Sequence, residues 1–175
     1  MEQKITTPIT KGIVISLILI IISLAIYFLN LIDNKGMQYV GYAIFIVAII
    51  WSVNTYGKQI NYNTTFGNYF AHGFKVSAIV TVFMIIFTVI FILLFPEMKE
   101  KGIDAARKSM EAKGNMSSEQ IDQAISFTQK FFMVFVIGGA LVFYLILGAI
   151  ASLIGAGITK KEPNKMAGDS NQIGQ

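Results

Sequence analysis

The sequence predicts an all-α polytopic membrane protein: four transmembrane helices, with an extramembrane helical hairpin between helices 3 and 4. Three observations carry the prediction. Residues AVILMFWYC make up 54% of the chain and charged residues 14%, against about a quarter charged in an ordinary soluble domain. The charges are also gathered, because Gly12–Ile32, Gly36–Gly57, Val76–Pro96 and Phe131–Thr159 hold none, in windows of 21, 22, 21 and 29 residues. Each window reaches the roughly 20 residues that a helix needs to cross about 30 Å of hydrocarbon. Finally, residues 97–130 hold twelve charges, six of each sign, so that stretch faces water and is net neutral.

These features set a single four-helix transmembrane domain over residues 1–159, with spans at about 8–32, 37–56, 76–96 and 131–158 and the hairpin at 97–130. Thr7 before Pro8 reads as a helix N-cap with proline at the first helical position, where its missing N–H costs nothing. The apolar run behind it is longer than a signal h-region and no A-x-A pattern follows, so helix 1 is expected to stay in the mature chain. Asn30–Gly36 is a short polar turn, and helix 2 returns antiparallel. Helix 2 is the least apolar span and is delivered by helix 1 and the tight turn.

The stretch KQINYNTTFGNYFAHGFK, residues 58–75, mixes polar and aromatic residues. Thr65 is an N-cap candidate, and an amphipathic turn or two in the headgroup zone is expected to lead into helix 3. Pro96 ends or kinks that helix. In the hairpin, Glu97/Lys101 and Asp104/Lys108 stand at the favourable i,i+4 spacing, Gly114-Asn115 breaks the run, and Ser117 with Gln120 resembles a capping box. One apolar stripe then runs from Ile121 through Phe135, so Ser118–Ile158 is expected as one helix of about 60 Å. Residues 160–175 read as a disordered polar tail.

Function is bounded mostly by exclusion. With no cysteine, disulfides, thiolate metal sites, haem attachment and cysteine lipidation are out. His72 is the only histidine, so no metal site, cofactor site or catalytic residue is assigned. Basic residues beside spans belong to lipid headgroups rather than nucleic acid. Asn68, His72 and Lys75 fall on one helical face and form a candidate interfacial polar cluster. His72 reads first as an amphipathic residue in a wet interface, with a proton-sensitive or headgroup-phosphate contact as the functional alternative. Lys75 reads as a snorkelling boundary residue. Small and hydroxylated residues mark helix contacts in lipid: Ser16 and Ser23 on helix 1, Gly41, Ala48 and Ser52 on helix 2, Ser77, Thr81 and Thr88 on helix 3. Gly148, Ser152 and Gly155 are the packing candidates on helix 4.

Basic residues number seven on each side of the four spans. Termini are placed on the cytoplasmic side because Lys160 and Lys161 abut helix 4, while the first turn has only Lys35.

The opening MEQKITTPITKGIVISLILIIISLAIYF, the short turn before helix 2, the NTTFGNYFAHGFKV stretch and the MSSEQID hairpin together resemble the domain-of-unknown-function 4199 family, over roughly Lys4 to Gly157. The resemblance implies a small bacterial inner-membrane protein and no assigned activity. The expected partners are the lipid bilayer, a protein partner through residues 97–130 and a second copy of the chain through the glycines of helix 4. The leading expectation is a non-catalytic structural or partner-binding membrane component. A small channel or transporter subunit is the alternative, and a lipid-headgroup enzyme near His72 and Lys75 a distant third.

Overall fold

The computed structural model describes residues 5–32 and 34–160. They form six helices: α1 (Pro8–Phe28), α2 (Lys35–Gln59), α3 (Phe66–Leu94), α4 (Glu97–Lys113), α5 (Ser118–Lys130) and α6 (Phe132–Ile158). Helices α1, α2, α3 and α6 are long and apolar enough to cross a membrane, and no strand occurs among the described residues. The chain is a multi-pass helical membrane protein in contact with the bilayer.

Local chemistry sets the helix ends. The Thr7 hydroxyl accepts from the Thr10 N–H and caps α1, with proline in the first turn. That helix stops at Phe28, short of the expected 32, where Asn30 takes a left-handed φ of 55°. Asn34 starts α2 two residues early by accepting from the Gly36 N–H at 2.9 Å. The 66–75 stretch is no separate interfacial turn. It forms the first turns of α3, begun by the Thr65 hydroxyl accepting from the Asn68 N–H. Pro96 cannot donate to the helix before it, so α3 ends at Leu94.

The expected 60 Å helix is two helices, since Phe131 leaves helical geometry (φ −108°, ψ 18°) between α5 and α6. The expected tail lies outside the described residues beyond Lys160.

Two compact units make up the described chain. The first joins the residues up to Thr81 to those from Tyr144 onward, and the second is Val82–Phe143. The first unit buries small hydroxyls beside apolar core residues such as Phe45, Ile49 and Val76, and its outer face is apolar. Ser16, Ser52, Ser77 and Ser152 are fully buried, while Leu17, Ile21, Val47, Ile146 and Ile154 are exposed. Such a distribution suits lipid as solvent, because apolar side chains need no hiding from hydrocarbon.

In the second unit, α4 and α5 pair as a helical hairpin. Gly114 makes the reversal in a left-handed conformation (φ 64°) that a side chain would strain. The full capping box of Ser117 and Gln120 then restarts the helix. Ile103, Ile121 and Ile125 form a small core closed by Ala106, Met110 and Phe132. Arg107, rather than the expected Asp104 and Lys108, makes the ion pairs: 2.8 Å to Asp122 across the hairpin and 4.0 Å to Glu111 one turn on.

The isoleucine core, and not the exposed ion pair, is expected to hold the hairpin. Ile121→Ala should cost about 2–5 kcal/mol and Arg107→Ala no more than about 1 kcal/mol, read as amide hydrogen exchange across 97–130. Equal loss of protection in both variants would contradict that ranking.

Candidate functional site

Antiparallel helices bring the start of α1, the end of α2, the start of α3 and the end of α6 to one end of the first unit. There lie most of the buried polar side chains among the described residues: Lys11, Ser16, Ser52, His72, Ser77, Ser152 and Thr159 are each less than a tenth exposed. Lys11 lies in the first turn of α1, on the stripe that continues as Ile15, Ser16 and Leu19. The stripe faces the other helices, so the lysine stem follows it inward.

Lys11 is 4% exposed, and its Nζ donates to the Ser52 carbonyl at 3.0 Å. Ser52 stands seven residues before the end of α2, which places this carbonyl about 10 Å below that end. The carbonyl already accepts within its helix, and the ammonium uses its second lone pair. No carboxylate stands among the described residues of this unit, since every described Asp and Glu lies between Glu97 and Asp122. Among the described residues, the Lys11 amine therefore rests on a backbone carbonyl rather than a carboxylate.

His72 reaches the same point from α3. Its ring stacks on Tyr56 of α2 with centroids 4.1 Å apart and planes 4° from parallel, and its Nε2 lies 3.5 Å from Ser52 Oγ. Around this pair, Thr6 and Lys160 are held by hydrogen bonds to α2 and α3. The Thr6 N–H donates to Gln59 Oε1 at 3.1 Å, and Gln59 Nε2 donates to Thr6 Oγ1 at 2.6 Å. The Tyr69 hydroxyl donates to the Lys160 carbonyl at 3.2 Å.

Of the three residues predicted to share an interfacial face, His72 is turned inward at 6% exposure, while Asn68 and Lys75 are exposed. Asn68 Nδ2 donates to the Thr64 hydroxyl at 2.9 Å and serves the helix start. The inward stripe of α3 is Tyr69, His72, Gly73, Val76, Ser77 and Val80, and His72 sits at its edge.

Gly148, Ser152 and Gly155 are all buried, and each meets another helix. A methyl built on Gly148 would run into the Ser77 hydroxyl. One built on Gly73 would lie 2.8 Å from Ser152 Oγ and 2.7 Å from Val53 Cγ2. On Gly155 it would stand 3.1 Å from Val53 Cβ and 3.3 Å from the Ile50 Cα. Helices α3 and α6 therefore interlock through Gly73-x-x-x-Ser77 against Gly148-x-x-x-Ser152, each glycine facing the other helix's serine. Most buried hydroxyls are spent on their own helix: Ser16, Thr81, Ser152 and Thr159 each donate to the carbonyl four residues back. Ser77 Oγ, pressed against Gly148, has no partner.

Sequence reasoning missed Lys11 as an interior residue and Gly73 as half of the seam. The available signals were the four-residue steps Lys11–Ile15 and Gly12–Ser16 at the start of helix 1 and the matching glycine–serine spacing on helices 3 and 4.

A family model described as a protein of unknown function (DUF4199) matches residues 10–161. No curated protein and no solved structure matches the chain.

Leucine at Gly148 or at Ser152 overfills the seam and should destabilise the fold by about 1–3 kcal/mol, lowering the melting temperature in detergent. A methyl on Gly138 or Gly139 would meet nothing within 4 Å, so leucine there should leave the melt unchanged. A melt unmoved by Gly148→Leu would contradict the interlock.

Proposed function

The chain belongs to the DUF4199 family, and from that premise we propose that it is a non-catalytic component of the bacterial inner membrane. Its four spans display the α4–α5 hairpin to a protein partner. Both termini lie on the cytoplasmic side in this reading, which puts the hairpin outside, in the envelope.

The observation that supports the reading is the hairpin itself. It has a sealed isoleucine core of its own, a cross-hairpin ion pair and a surface that carries all the carboxylates among the described residues. A linker needed only to join two spans requires neither a core nor a capping box. An ordered surface of mixed charge suits selective binding, because opposite charges set partner and register more than raw affinity.

The second reading, a small channel or transporter subunit, draws on the buried hydroxyls of the first unit. Their bonds to their own helices leave few donors for a passing solute, and the seam they line is packed against glycine. That favours the partner-binding reading.

The test is crosslinking in intact cells with wild-type protein and with residues 100–128 replaced by a Gly/Ser linker of equal length. A topology reporter fused at Gly174 accompanies it. Crosslinked partners should vanish with the linker while membrane insertion persists, and the reporter should read cytoplasmic. Partners retained without the hairpin, or an external reporter, would overturn the corresponding half of the reading.

A further inference from the structure

Within the first unit, α1 and α2 diverge around a cleft of about 500 Å³. Its lining is apolar throughout, with Val14 and Ile18 from α1 and Val47, Ala48 and Trp51 from α2. Val14, Ile18, Val47 and Trp51 are also exposed, so the cleft opens outward. Val14, Ile18, Val47 and Ala48 lie within two spans, at the depth of the hydrocarbon. Whatever fills the cleft is hydrocarbon-like.

The polar surroundings lie at one end. One turn before Val14, Lys11 reaches from α1 to the Ser52 carbonyl of α2, next in sequence to Trp51 of the lining. Trp51 marks that end, as indole does at the boundary between hydrocarbon and headgroups. Lys58 follows seven residues after Trp51, on the same face of α2, and is exposed. The ionisable groups at this end are Lys11, Lys58, Lys75, Lys160, His72 and the tyrosines, with no carboxylate among the described residues of the unit. An apolar slot runs up to an end whose charged side chains, among the described residues, are lysines.

We propose that the α1–α2 cleft is a binding site for an anionic phospholipid, which lays one acyl chain against Ala48 and sets its phosphate toward Lys58 and the field of Lys11. Size supports a chain over a second copy of this protein. One turn of helix, about 10 Å across and 5.4 Å tall, displaces about 420 Å³, so the cleft takes a single turn at most. A flexible chain threads it lengthwise. Charge selects the headgroup, because an ethanolamine lipid brings an ammonium to an end already rich in lysine. The site depends only on α1 and α2 and is independent of the hairpin's partner.

The full chain is reconstituted in nanodiscs of equal parts phosphatidylglycerol and phosphatidylethanolamine, released into mild detergent, and the lipids still bound are counted by native mass spectrometry. Wild type should retain the anionic lipid over the zwitterionic one. Lys58→Ala should reduce that preference about fivefold, the share of one lysine at a membrane surface. Ala48→Phe fills the cleft and should reduce retention of either lipid. Val47→Trp, at the exposed rim, gives a second block should Ala48→Phe fail to fold. Equal retention of both lipids, a preference for the zwitterionic one, or a protein dimer in place of bound lipid would overturn the proposal. Anionic retention untouched in folded blocking variants would overturn it as well.

Discussion

Two reciprocal contacts, Gly73 with Ser152 and Ser77 with Gly148, let α3 and α6 approach until side chain meets backbone. In lipid this closeness matters more than it would in water. Hydrocarbon tails surround each helix as well as leucine does, so apolar burial gives helices no reason to associate. Dispersion over many short contacts supplies the attraction, and glycine is the residue that permits them. Val53 of α2 enters the same seam against Gly73 and Gly155, and Ile79 of α3 lies against Gly12 of α1. One geometric allowance, a missing Cβ, recurs where α1 meets α3, where α2 meets α3 and α6, and where α3 meets α6.

From that packing follows the burial of hydroxyls between the spans. Serines small enough to fit the seams must have their hydroxyls satisfied there, and most turn back onto their own helices. Lys11 is the costly exception. A lysine at the start of a span ordinarily reaches outward to headgroups, whereas here the ammonium points inward to a carbonyl. Burying an ion costs several kcal/mol, and an intramembrane charge is a functional signal by default. The nearby stack of His72 on Tyr56 makes this end the chemically richest part of the membrane unit.

Much of this was legible in the residues. Charge-free windows located the spans, Thr7-Pro8 and Ser117/Gln120 located two helix starts, and Gly148, Ser152 and Gly155 lay on one stripe of helix 4. The family resemblance was carried by the chain's own segments. Other features depend on register between helices that no local pattern encodes. The Arg107–Asp122 pair needs the hairpin closed before its partners meet, whereas Asp104 and Lys108 looked better by spacing. Gly73 was placed in the headgroup zone because Lys75 ended the charge-free window, although the helix that buries Gly73 leaves Lys75 exposed. Lys11 was counted with the flanking charges, since sequence alone does not say which way a boundary lysine turns. The break at Phe131 left no mark in a stripe that ran through it unbroken.

The central claim is that hydrocarbon bathes the apolar outer faces of the first unit while glycines and serines line its seams. With no native cysteine, single cysteines at Ile18, Val47 and Ile146 on the outside can each carry a spin label in a lipid bilayer. The account predicts that these labels collide with oxygen and are shielded from a water-soluble nickel complex. Ready collision of the outer labels with nickel would contradict it.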